Sequence, residues 1–239
     1  MLRQRAPNLI RFGILTLPLA GLLALLGLVG NIRLPDPRTD PEQAARYFSS
    51  TFYFVSQFAG NVVGPSLLIF GVIALTAYLY DTRARNLALA GMIPSLLGIA
   101  LVLSVAGLAA YALPAVGRAY LDGQLATAGP GAQQSARELV TAILGSPARH
   151  VFMLVFLLYS AGFVLFGVAI WRSGVLRKGA AISLALHAPL LSSFTRTEPN
   201  WASILGALMF IVGGTLISVD VFRAASAKET EATMERRVR

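Results

Sequence analysis

Cysteine is absent from all 239 residues. Disulfides, thiolate nucleophiles and thiolate-bound metals are therefore excluded. Charge is scarce as well. Asp, Glu, Lys and Arg make up 13% of the chain, against roughly 25% in soluble domains. The scarcity is concentrated in runs: Phe12–Gly30, Thr51–Tyr80, Asn86–Leu113, Val151–Trp171 and Gly179–Phe194 hold no such residue. A sixth run, from Trp201 to near Val221, holds only Asp220, at its end. Ion-coupled pumps generally rely on carboxylates or cations at membrane depth, and these runs lack them. Metal-ligand clusters, phosphate-binding glycine loops and nucleic-acid modules are missing too.

What is present is apolar. Hydrophobic residues make up 56% of the chain and the mean hydropathy is +0.67. Long apolar runs with little charge mean that the solvent is lipid. The expected fold is an all-α bundle of six membrane spans over residues 1–221. A charged cytoplasmic tail, 222–239, is expected to be partly disordered. The N-terminal run follows Arg3, Arg5 and Arg11, as a signal peptide would, but no small-x-small cleavage site follows it. It reads as a retained first span. Thr51–Tyr80 would measure about 45 Å as a straight helix, more than the roughly 30 Å of hydrocarbon. A bend is expected at Gly60–Ser66, where Pro65 lacks an N–H. Asp40-Pro41-Glu42 reads as a helix start, with Asp40 as N-cap. In the long loop 114–149, Gln133–Leu144 has apolar residues at helical spacing and reads as an amphipathic helix lying in the interface.

Six spans place both ends on one side. Of the 20 Lys and Arg, thirteen fall in the two ends and in the turns 81–85 and 172–178. Short basic turns face the cytoplasm, so both ends are predicted there, against anionic lipid. The net charge of +9 is read as topology and lipid contact, not as a nucleic-acid footprint. The location implied is a bacterial inner membrane.

Helices in lipid associate through small residues that allow close approach. Gly60/Gly64, Gly91/Gly98 and Gly206/Gly213 are the expected packing positions. Intramolecular packing is the preferred use; a homodimer through Gly60/Gly64 or another membrane-protein partner is the alternative.

No catalytic set is expected. Gly64-Pro65-Ser66 and Ala185-Leu186-His187 do not match the glycine-x-serine context of a nucleophile elbow. The candidate ligand-binding residues are Gln57, Asn61, Ser66 and His187, which could converge near the Gly-Pro break. The plainer reading makes them interhelical hydrogen bonds. His187 lies mid-run, as a neutral, hydrogen-bonded imidazole or as a haem ligand. His150 sits at a different depth, poorly placed to share one haem with it. No other cofactor and no metal is expected.

The layout resembles that of a set of uncharacterised bacterial six-span membrane proteins. The resemblance rests on the Asp40-Pro41-Glu42 helix start, the long second outer loop and the run from Leu165 through Leu176. In such proteins a proline often follows the Val-Leu step; here Arg177 stands instead. The resemblance implies six spans; no activity is established for the family, so none carries over. Three function classes follow: a non-enzymatic accessory or small-ligand-binding membrane component, a transporter or channel for a small neutral or lipophilic solute, and a haem- or pigment-binding subunit using His187.

Overall fold

A computed structural model of the chain describes residues 2–31, 35, 39–123, 148–191 and 201–238. Among these residues the structure is helical, with no strand. The elements are α1 (Leu2–Val29), α2 (Pro41–Phe48), α3 (Thr51–Phe58), a π-helical turn (Ala59–Val63), α4 (Gly64–Leu79), α5 (Arg85–Leu121), α6 (Ala148–Ser173), α7 (Lys178–Leu191) and α8 (Trp201–Val238). The expected amphipathic helix at Gln133–Leu144 and the turn at 195–200 lie outside the described residues.

Among the described residues, five segments are long and apolar enough to cross a membrane: Asn8–Val29, Thr51–Leu79, Arg85–Leu121, Met153–Ser173 and Trp201–Ala227. Their outward faces carry large apolar side chains. Leu15, Leu19, Leu22 and Leu26 form one exposed stripe along α1, and Leu205, Leu208 and Val212 another on α8. Apolar surface spread over whole helices belongs against lipid rather than water.

The helices pack as a closed ring in sequence order. α1 lies against α4, α4 against α5, α5 against α6, α6 against α7, α7 against α8, and α8 returns to α1. Contacts between neighbours run antiparallel. On α1, Gly13 meets Ala74 and Gly27 meets Gly60. On α8, Ser218 Oγ donates to the Ile14 carbonyl at 3.4 Å and Gly214 abuts Pro18. The ring interior is filled by Ile14, Leu17, Leu75, Ile99, Phe163, Phe166, Leu184, Phe210 and Ile217, all fully buried.

All six expected packing glycines face a neighbouring helix of the same chain. Gly60 and Gly64 face α1, Gly91 and Gly98 face α6, and Gly206 and Gly213 face α7. The Gly60/Gly64 face is thereby occupied within the monomer.

Several boundaries differ from expectation. Pro114 predicts the start of a loop, yet α5 continues to Leu121 with Pro114 inside it. The extension is held by α2. Gly117 approaches so closely that a Cβ there would lie 2.7 Å from the Ala45 carbonyl oxygen. The Asp40 cap is present: its Oδ1 accepts from the Gln43 N–H at 3.0 Å. Where a partly disordered tail was expected after Val221, α8 runs on to Val238. That stretch is rich in Ala, Glu, Lys and Arg, holds no Gly or Pro, and so favours helix.

Candidate functional site

Four side chains were expected to converge: Gln57, Asn61, Ser66 and His187. The structure joins two of them. Asn61 Nδ2 donates to Gln57 Oε1 across the π-helical turn. Gln57 Nε2 in turn donates to Asn31 Oδ1 at 2.9 Å, with a longer approach of 3.4 Å to the Gly27 carbonyl. Ser66 bonds back along its own helix, to the Val62 carbonyl at 2.7 Å. The hydrogen bonds of His187 lead to α6 and α7 instead.

The π turn explains the first pair. Pro65 cannot donate to the carbonyl four residues back. The chain takes an extra residue into the turn just before it, and the Gly64 N–H reaches the Ala59 carbonyl five residues earlier. Such single-turn π insertions recur at functional sites. Here the turn also packs tightly against α1. A Cβ on Gly60 would sit 2.5 Å from Gly27 Cα. Gln57, 2% exposed, is carried against the end of α1.

That end needs partners. The last carbonyls of a helix have no intrahelical donors. The Gly30 N–H serves Leu26 and the Asn31 N–H serves Leu28. Gln57 serves Gly27, and the Tyr47 hydroxyl donates to the Gly30 carbonyl. Gln57 and Tyr47 therefore cap α1 from two other elements. Asn61 is half-buried and Asn31 exposed, so the amide chain leads from the buried cap to the surface.

His187 sits in a separate chamber. It is fully buried among Tyr159, Phe163 and Phe210. Its ring stacks on Phe210 with centroids 4.3 Å apart at 13°, and meets Phe163 edge-on at 4.6 Å. Nδ1 lies 2.6 Å from the Leu184 carbonyl, which can only accept, so Nδ1 carries a proton. In a neutral ring Nε2 is then the acceptor, and the Tyr159 hydroxyl, 3.2 Å away, is its donor. Both nitrogens are engaged and aromatic rings cover the imidazole. Iron could reach Nε2 only by displacing Tyr159.

No protein-family model, curated protein or solved structure matches the chain. The residues themselves carry the functional argument.

Sequence reasoning missed Tyr159, Phe163 and Phe210 around His187, and Tyr47, Gly27 and Asn31 around Gln57. Tyr159 and Phe163 are four apart and share a face of α6, a visible helical signal. Their pairing with His187, 28 positions beyond Tyr159, depends on how α6 and α7 dock. Among the described residues, no group of three His, Cys, Asp or Glu side chains is placed to hold a metal ion.

Proposed function

We propose that the chain is a non-enzymatic, six-crossing membrane protein acting as an accessory or small-ligand-binding component of a bacterial inner membrane, with both ends cytoplasmic. The observation that carries this reading is the closed ring with a side-chain-filled interior, surrounded by an apolar outer face. Phe163, Phe166, His187 and Phe210 are fully buried and pack on one another, filling interior volume that a conduit would need. This favours the accessory reading over a transporter. The engaged nitrogens of His187 favour it over a haem subunit.

The sixth crossing is argued from α7. It has 14 residues, about 21 Å. Its first end meets α8 at Asp220, whose carboxylate accepts from the Arg177 N–H at 3.0 Å. Its other end meets α8 at Ser203, whose hydroxyl donates to the Leu191 carbonyl at 3.1 Å. These two levels of α8 are about 17 residues, or roughly 26 Å, apart. That is close to the thickness of the hydrocarbon. α7 thus accompanies α8 across most of the slab, which supports a crossing over a re-entrant hairpin.

A small ligand would enter from the Asn31–Asn61 end, where the amides reach the surface. Purified protein in liposomes tests the reading. Expected are a colourless preparation and no rise in permeability to glycerol or urea. A Soret band lost in His187→Phe, or solute flux above that of empty liposomes, would overturn it.

A further inference from the structure

The two basic turns at one end of the ring are docked onto each other. The α4–α5 turn carries Arg83 and Arg85, and the α6–α7 turn region carries Arg172, Arg177 and Lys178. Arg83 Nε donates to the Arg172 carbonyl. Its guanidinium lies beside Gly174, where φ is +72° and a Cβ would come within 3.7 Å of Nη2. The cations of two hairpins are thereby gathered into one platform. One of them is neutralised: Arg177 Nε lies 2.8 Å from Asp220 Oδ1. Asp81 is the acid on the turns themselves. Arg83, Arg85, Arg172 and Lys178 leave the platform positive.

Two of these cations rest on aromatic rings. The Arg85 guanidinium lies 3.9 Å from the Tyr80 ring centroid, and the Lys178 amine 4.9 Å from that of Trp171. Both rings are exposed. Amphipathic aromatics of this kind settle at the level of lipid headgroups. Below Trp171 on α6, Val168 and Val164 continue an exposed apolar strip, and Ile182 extends it on α7. A positive rim over an apolar wall matches one class of molecule, with a negative head and hydrocarbon tails.

We infer that this platform is a binding site for the headgroup of an anionic phospholipid. Its phosphodiester lies against Arg83, Arg172 and Lys178, and its acyl chains lie along Val164, Val168 and Ile182. Guanidinium and phosphate pair through charge-assisted hydrogen bonds, and basic pockets between spanning helices are known to hold such heads. The inference rests on the membrane-spanning reading above and adds a specific ligand class to it.

The two tryptophans make the test direct, because Trp171 and Trp201 lie at opposite ends of the ring. In W201F, Trp171 is the sole tryptophan. The full chain is reconstituted in phosphatidylcholine vesicles containing brominated phosphatidylglycerol or, at equal mole fraction, brominated phosphatidylcholine. Quenching of Trp171 gives the relative affinity for the two lipids. Expected is a preference of about fivefold or more for phosphatidylglycerol. It should fall to near unity in R172Q/K178Q, which leaves the Arg83 bond to the backbone intact, and survive in R172K. Inorganic phosphate should not compete. Trp201, read in W171F, should show no preference. Equal quenching by both lipids, or a preference that survives R172Q/K178Q, would overturn the site. Quenching by neither lipid would overturn it together with the spanning reading, so the two failures are distinguishable.

Discussion

Replacing Tyr159 by Phe removes one hydroxyl and almost no volume. The consequence is set by its partner. His187 Nε2 has the Tyr159 hydroxyl, at 3.2 Å, as its hydrogen-bond donor, inside an aromatic chamber. An interhelical hydrogen bond in a membrane protein averages only about 0.6 kcal/mol. A buried acceptor left without a donor costs more, about 1–3 kcal/mol. Tyr159→Phe should therefore lower stability by about 1–2 kcal/mol. His187→Phe, which keeps a ring against Phe210, strands the tyrosine hydroxyl and should cost a similar amount. The double variant removes donor and acceptor together, and its loss should be smaller than the sum of the two by about 1 kcal/mol or more. Reversible unfolding in mixed detergent–SDS micelles measures all three. Additive losses, or a Tyr159→Phe variant as stable as the parent, would refute the argument that this pair is a closed structural unit.

Other substitutions probe the rest of the ring. Gly60→Ala should separate α1 from the π turn and cost about 1–3 kcal/mol in the same assay, because the new methyl meets Gly27 backbone at 2.5 Å. Gln57→Leu uncaps the end of α1 and should cost about 1–2 kcal/mol. It should also speed amide exchange at Gly30 and Asn31, measured by hydrogen–deuterium exchange. Ser95→Ala should be neutral or stabilising by about 1 kcal/mol, since the fully buried Ser95 hydroxyl has no hydrogen-bond partner among the described residues.

The long apolar helices were legible because their signal is local. A run without charge such as Thr51–Tyr80 reports its surroundings regardless of what it touches. The Asp40 cap and the break before Pro65 were legible for the same reason, since each depends on residues within one turn. The form of that break was not. Proline removes a donor but does not by itself choose between a kink and a π turn; in the fold the turn packs with Gly60 against Gly27 of α1, a contact between positions far apart in sequence. The candidate site divided along this line. Gln57 and Asn61 are four apart and meet through local geometry. His187 was grouped with them on depth alone, and depth does not say which wall of a ring a side chain faces. Pro114 misled in another way. A proline ended the expected helix, but α2 packs against the following turns and holds them helical.

The central claim is that six segments cross the membrane and leave both ends on the cytoplasmic side. The lack of native cysteine makes single-cysteine labelling unambiguous. Thr39→Cys, Ser173→Cys, Thr197→Cys and Ser226→Cys would each be treated in spheroplasts with a membrane-impermeant maleimide. Cysteines at 39 and 197 should label in intact spheroplasts, and those at 173 and 226 only after permeabilisation. A cysteine at 197 that stays protected while the one at 226 labels from outside would mean that α7 turns back within the bilayer, and would contradict the account.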